Sequence, residues 1–456
     1  MINFSHKTTI PQKSIFMTSS TLSPSASPQL AQEGGPKAFP AMTGTIQPKL
    51  GVDEFLSIAE RFGFSPEAMA RLSTAVSNKD LPEGGPHLGR YHGHPKPIKN
   101  EEFEALGREK FGVKHALGVS SGTAALHCAM VGSGAASGRE VICPATGFIA
   151  TGMAAALAGA TPVFCDVDES LMMDPLCLEA LITPKTVAIA PTHYMGAVCD
   201  MESILKIARK HNLRVIEDCA QSPGASYHGH PVGSLGDFGC YSISCYKIIG
   251  GGEGGMVVTN DDRLFDRARQ MAEAGGLWRQ NRFAQERYPG ELFVGANYRL
   301  SELEAAVNVV QLRKLDVVVS GLRAVSRRIR EKLGSFKEIT WQKSNDPEGD
   351  IGYLLRFFPD SDKLARTICQ ALAAEGIDAS YRGAGAPPDW HLFHDMFPLF
   401  PEFRDQCKPD LCPVATELFI RCININLNPW WSPEDCAAVA SGINKVLFAF
   451  CTWIES

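Results

Sequence analysis

Lys247 closes the run Cys240-Tyr-Ser-Ile-Ser-Cys-Tyr-Lys247, and Gly250-Gly-Gly-Glu-Gly-Gly255 follows it almost at once. A lysine among apolar and small residues is costly while charged, so either its ammonium reaches water at an edge or its amine is put to chemical use. Burial lowers the pKa of an amine and frees the neutral nucleophile that forms a Schiff base with a carbonyl. Asp218 heads Asp218-Cys-Ala-Gln221 where an apolar run ends. A carboxylate at such a place caps a turn or meets a cation. Ser120-Ser-Gly-Thr123 follows another apolar run and opens a helical pattern. Free backbone N–H groups, a glycine that permits close approach, a threonine hydroxyl and a helix dipole there make a cup for phosphate. Read alone, an ordinary helix N-cap is the better explanation of that segment, and context has to decide.

Taken together, acid, amine and phosphate cup are the three contacts that pyridoxal phosphate demands, the acid keeping the pyridinium nitrogen protonated so that the ring remains an electron sink. The run Gly250–Gly255 also satisfies G-x-G-x-x-G, but it precedes a strand pattern rather than a helix, which disfavours a nicotinamide site.

The elements that must position these residues alternate between strand and helix. The pattern predicts strands at Ala116–Val119, Glu140–Cys143, Pro162–Val167, Val187–Pro191, Leu213–Glu217 and Met256–Thr259. It predicts helices ending at Phe111 and over Thr123–Val131, Met201–His211 and Asp262–Ala274. Asp218 then lies at a strand's carboxyl end, where ligands bind in open α/β sheets. Ser301-Glu-Leu-Glu304 is a capping-box pattern opening a helix whose buried stripe is expected to hold Leu303, Val307 and Val310. A basic helical stretch around 320–335 leads to a smaller α+β lobe, with a strand at Tyr353–Phe358, a helix at Asp362–Glu375, a strand at Asp378–Tyr381 and a closing helix at Pro433–Leu447. The expected organisation is a flexible tail over 1–45, a helix and arm over 46–99, a cofactor-binding large domain over 100–320 and a small domain over 321–456.

With 456 residues, 44 Lys plus Arg, 50 Asp plus Glu and a net charge of -6, the chain is long enough for two packed lobes and lacks the basic stripe that nucleic-acid binding requires. Its 14 cysteines are scattered without a C-x-x-C pair, as reduced thiols in a cytoplasmic protein would be. The uncharged stretch Val141–Cys165 is long enough to span a bilayer, but Pro144, Pro162 and three glycines fit a buried strand-turn-helix-strand better, and no membrane association is expected. His87, His92 and His94, and the pair His391 and His394, have no Cys or Asp set at metal spacing, so no metal site is read. His193, in Thr192-His193-Tyr-Met-Gly196, either lines a site or packs in the core. Cys219 and Cys245 read as small packing residues.

The motifs Ser121-Gly-Thr123-Ala-Ala-Leu126, Asp218-x-Ala-Gln221, Ser242-x4-Lys247, Gly252-Glu-Gly-Gly255 and Asn297-Tyr-Arg299 are together similar to those of the DegT/DnrJ/EryC1/StrS family, fold type I vitamin B6 aminotransferases that aminate sugars and cyclitols. The resemblance is strong over about 85–320. It implies a large domain with a mostly parallel sheet flanked by helices, a small C-terminal α+β domain and pyridoxal 5'-phosphate as cofactor. It further implies that Lys247 is the Schiff-base lysine and proton carrier, Asp218 the partner of the pyridine nitrogen, and Gln221 the group near the ring's 3-oxygen. Gly122, Thr123, Ala124 and Ser242 become phosphate contacts, and Asn297 a phosphate contact given by the other subunit of a homodimer with shared active sites. Phe148 and Ala220 flank the ring.

The implied reaction takes an amino group from Glu or Gln and passes it by a ping-pong mechanism to a ketone of a sugar or cyclitol. A catalytically idle cofactor-binding protein is the alternative from another class. The family's sugar-dehydratase branch replaces the lysine with a histidine, and Lys247 argues against it. Where family members carry a Leu-Pro-Leu-like run, this chain has Ile423-Asn-Ile-Asn-Leu-Asn428-Pro, so a different acceptor pocket is expected.

Overall fold

The computed structural model describes residues 29–39, 41, 48–90, 96–275, 286–383 and 411–455. His92, His94, His391, His394 and most of the tail lie outside them. The chain divides into two compact units, Met1–Pro86 and His87–Ser456. In the first, the helix expected within 46–99 is two helices, α1 (Val52–Glu60) and α2 (Pro66–Ala75). Ser65 Oγ accepts from the Ala68 N–H at 3.3 Å, and Pro66 opens α2 with its preset φ.

The second unit begins with α3 (Lys99–Phe111) and builds a seven-stranded sheet. In chain order its elements are β1 (His115–Val119), α4 (Gly122–Gly132), β2 (Glu140–Pro144), α5 (Ala150–Leu157), β3 (Thr161–Cys165), the short α6 (Pro175–Leu178), β4 (Thr186–Ile189), α7 (Met201–His211), β5 (Arg214–Asp218), a hairpin of β6 (Ser226–Tyr227) and β7 (His230–Pro231) outside the sheet, β8 (Phe238–Ser242), β9 (Gly255–Thr259) and α8 (Asp262–Ala272). The strand order is β1-β9-β8-β5-β4-β2-β3, and β9 alone runs antiparallel to its neighbours. Strands such as β8 and β9 are buried at every residue, as expected of a sheet covered on both faces. Val141–Cys165 is the strand-turn-helix-strand of β2, α5 and β3, and no helix among the described residues is long and apolar enough to cross a membrane.

The 29-residue α9 (Glu302–Arg330) runs on without a break through position 320, so the boundary expected there falls inside one helix. The small lobe follows: β10 (Ile339–Trp341), β11 (Leu354–Pro359), α10 (Asp362–Ala374), β12 (Ala379–Tyr381), α11 (Pro413–Arg421), β13 (Ile423–Asn426) and α12 (Pro433–Phe450), with an antiparallel sheet ordered β10-β11-β13-β12.

The expected buried stripe of α9 is corrected. Leu303 and Val310 are exposed, and Ala305, Asn308, Val309, Leu312 and Leu315 face the core instead. The helix carries two apolar stripes, and periodicity alone does not tell which one this chain covers. Ser301 makes no side-chain cap bond either; Glu302 turns inward and accepts from the Lys99 and Asn100 N–H groups at the start of α3, both at 2.9 Å.

Candidate active site

The parallel strands β1, β5 and β8 end on one edge of the sheet, and β9, running the other way, begins there. That edge carries Ser121, Asp218, Ser242 and Gly255. Beside it lies a cavity of about 980 Å³, and Lys247, Asp218, Gly122, Thr123, Ser242, Ala220, Gln221 and Phe148 all line it.

At the mouth of α4, Ser121 Oγ accepts from the Ala124 N–H at 3.1 Å. Ala124 is therefore already hydrogen-bonded and does not line the cavity. Gly122 is required by packing: a Cβ there would stand 2.7 Å from Ser242 Cβ. With no side chain between them, the helix N-terminus and the Ser242 hydroxyl share one concave corner, a natural seat for an anion.

Asp218 sits almost wholly buried at the end of β5. Its Oδ2 accepts from Thr151 Oγ1 at 2.6 Å and its Oδ1 from the Ala220 N–H at 3.0 Å. Burial pushes its carboxyl above the usual range, against the pull of those two donors and of Lys247. Lys247 follows a turn after β8, where its N–H donates to the Ser244 carbonyl at 3.0 Å. Burial pulls its amine below the ordinary lysine value, while the carboxylates of Asp218 and Glu253 oppose that shift.

Glu217 and His193 support this floor from beneath. Glu217 accepts from the N–H groups of Gly233, Leu235 and Gly236 at 2.8, 2.8 and 2.6 Å and pairs with His193 Nε2 at 3.1 Å. The Cys199 N–H donates to His193 Nδ1 at 3.2 Å, which leaves the proton on Nε2. Of the two sequence readings of His193, the core one holds. His193, Glu217 and Cys219 cluster closely enough to hold a metal ion, yet all three are buried and the carboxylate is filled by backbone donors. Cys219 is buried as expected, whereas Cys245 is exposed.

The opposite wall comes from the small lobe, whose contribution sequence reasoning flagged only at 423–429. Strand alternation turns Asn424 and Asn426 into the cavity and leaves Ile423 and Ile425 in the core. Ser380, opposite Asn424 across the β12–β13 ladder, and Arg382 join them. Buried Arg356 donates through Nε to Asn424 Oδ1 at 2.5 Å, fixing that amide. Arg382 lies over the Phe419 ring at 4.2 Å and reaches the Tyr194 hydroxyl at 3.4 Å. Thr151, Ser380 and Arg382 carried no motif signal, and Glu253 entered only as part of Gly252-Glu-Gly-Gly255, with no role of its own.

Two residues are placed differently from the rest. Phe148 lies two residues before α5 and is exposed at the cavity rim. Asn297 is exposed and does not line this chain's cavity.

Residues 97–444 match the DegT/DnrJ/EryC1/StrS aminotransferase family. The chain belongs to this family. Like its relatives, this DegT-family aminotransferase depends on pyridoxal 5'-phosphate. It is 42% identical over 347 residues to GDP-perosamine synthase of Caulobacter vibrioides, a match covering 76% of this chain and 89% of that protein. It is 36% identical over 341 residues to UDP-N-acetyl-3-dehydro-alpha-D-glucosamine 3-aminotransferase of Acidithiobacillus ferrooxidans, covering 74% and 85%. Among solved structures it is similar to DesV of S. venezuelae, determined in complex with a ketimine intermediate, with a TM-score of 0.64 and 29% identity over 76% of this chain and 88% of that one. The residues present fit the cofactor: a glycine-lined corner at a helix N-terminus suits the phosphate, and a buried carboxyl held by the Thr151 hydroxyl and the Ala220 N–H at the cavity floor suits a ring nitrogen.

Proposed function

We propose that this aminotransferase moves the amino group of glutamate or glutamine onto a ketone of a sugar carried on a nucleoside diphosphate, within amino-sugar biosynthesis. The observation that carries the reading is the cavity itself, in which the lysine, the buried acid and the helix N-terminus face a polar wall of Ser380, Arg382, Asn424 and Asn426. Such a wall offers donors and acceptors to hydroxyl groups. The GDP- and UDP-linked names of the two relatives support a nucleotide-linked acceptor.

In this reading Gly122, Thr123 and Ser242 hold the phosphate, Phe148 and Ala220 flank the ring, Gln221 stands near its 3-oxygen and Asp218 keeps its nitrogen protonated. The bound cofactor supplies the electron sink. Lys247 anchors it and moves the proton at the donor's α-carbon, a task suited to an amine whose pKa burial has lowered. Arg382, the only cation besides Lys247 among the described lining residues, takes the donor's carboxylate.

The working assembly is a homodimer in which Asn297 completes the neighbour's phosphate site. Two features support it: Asn297 is exposed and does not line its own chain's cavity, and Leu303, Val310 and Val317 form an exposed apolar stripe at seven-residue spacing along α9, 44%, 47% and 59% accessible. The test is to incubate the pyridoxamine form with a panel of free and nucleotide-linked keto-sugars and cyclitol ketones and to follow the return of the cofactor's absorption band. Return with nucleotide-linked ketones supports the reading, and return with free ketones alone refutes the nucleotide-linked part of it.

A further inference from the structure

Beyond Lys247 the chain doubles back through Gly250–Gly255, and the first three turns of α9 grip that loop. Glu304 Oε1 accepts from the Glu253 N–H at 3.1 Å, Asn308 Nδ2 donates to the Glu253 carbonyl at 3.4 Å, and Gln311 Oε1 accepts from the Gly250 N–H at 3.3 Å. Positions 304, 308 and 311 share one helix face. The approach is close enough to exclude a side chain at Gly252 and at Gly254. A Cβ at Gly252 would stand 2.8 Å from Glu304 Oε1, and one at Gly254 would stand 2.5 Å from Asn308 Nδ2.

Glu253 is thus held at both its N–H and its carbonyl, between two residues without side chains. Glu253 lines the same cavity as Lys247, and apart from Asp218 it is the only acidic residue among the described lining residues. Among the described residues, the carboxylates of Asp218 on β5 and Glu253 on the loop oppose the effect of burial on the Lys247 amine.

We propose that Glu253 is the counter-charge of Lys247 while the lysine amine is free, and that Glu304 and Asn308 are the positioning residues that hold it there. The inference rests on the reading of Lys247 as the cofactor lysine. Asp218 is then engaged with the ring nitrogen. When the free amine takes the proton from the donor's α-carbon it becomes an ammonium, and Glu253 is the carboxylate left to stabilise that charge until the proton is passed on. Glu253 neither gains nor loses a proton in this role.

The pyridoxamine-loaded enzyme tests this, because its lysine amine is free. Lys247 is labelled with an amine-reactive reagent across a range of pH, and the labelled peptide is quantified. Glu253→Gln, an exposed and foldable change, is expected to lower the midpoint of labelling by about half a pH unit, the size of one partly screened charge. Asn308→Ala is expected to move the midpoint in the same direction, and to add nothing in the Glu253→Gln background. Glu304→Gln, which keeps an acceptor for the Glu253 N–H, is expected to leave it in place. A Glu253→Gln midpoint equal to that of wild type overturns the proposal, as does an Asn308→Ala effect that persists in the double variant. Borohydride reduction of the pyridoxal form, followed by mapping, separates this from failure of the underlying reading: cofactor trapped on another lysine overturns both.

Discussion

The hydroxyl of Thr151, in the first turn of α5, donates to Oδ2 of Asp218 at the end of β5 over 2.6 Å, and neither group is exposed. This bond aims a buried carboxylate at the cavity floor and favours its charged form. Asp218→Asn should keep the cofactor bound through the phosphate corner and lose rate by roughly a hundredfold or more, because no carboxylate then holds the ring nitrogen protonated. Thr151→Val should cost less, about tenfold, in line with the loss of one hydrogen bond to a charged group. Cofactor occupancy and single-turnover amination, measured side by side, check both. Unimpaired turnover in Asp218→Asn would remove that residue from the mechanism.

Asp218 was legible because an apolar run ends on it, and α7 was legible to the residue because Asp200 caps it and Ile204 and Ala208 mark its buried side. Thr151 was not. It sits among alanines and glycines with no motif, and it meets Asp218 only because β5 and α5 are brought together by the strand order. The same limit applies to α9, where two apolar stripes compete and tertiary contacts decide which is covered. It applies as well to Arg382 and Ser380, which gain meaning only when β12 pairs with β13. Asn424 and Asn426 lie between these cases: their departure from the family pattern was visible, and their direction into the cavity needed the ladder.

Arg382→Gln should raise the KM for the amino donor by roughly 10- to 100-fold, the loss of a charge-assisted bond to a carboxylate, with the half-reaction of the acceptor nearly unchanged. Half-reaction kinetics with each substrate varied separately decide it. Equal damage to both halves would assign Arg382 to packing on Phe419 rather than to the donor.

Asn297→Asp places a carboxylate against the phosphate of whichever site the residue serves. Mixed with Lys247→Ala and allowed to exchange subunits, it should restore about half the activity per heterodimer, since both lesions then fall in one of two sites. Mixing that restores nothing would place Asn297 in its own subunit's site or make the enzyme a monomer.

Asp350 gives a prediction about stability. Its carboxyl is pushed up to about 6 by burial, although it accepts from the Val198 N–H at 3.0 Å and from Ser344 Oγ at 2.6 Å. A carboxyl whose folded pKa lies above its unfolded value contributes stability below the unfolded value, and that contribution is lost as pH rises through the folded one. Wild type should therefore lose on the order of 2–3 kcal/mol from this group between about pH 4 and pH 6. Asp350→Asn should flatten that part of the pH profile. Denaturant midpoints of both proteins at several pH values provide the check, and parallel profiles would contradict it.

The account centres on Lys247 as the residue that carries the cofactor in this cavity, and reductive trapping tests it most directly. The pyridoxal-loaded enzyme is treated with borohydride, digested, and the modified peptide identified by mass. The expected result is one phosphopyridoxyl group on Lys247, with no trapping and no visible imine band in Lys247→Ala. Trapping on another lysine, or an intact band in the variant, would contradict it.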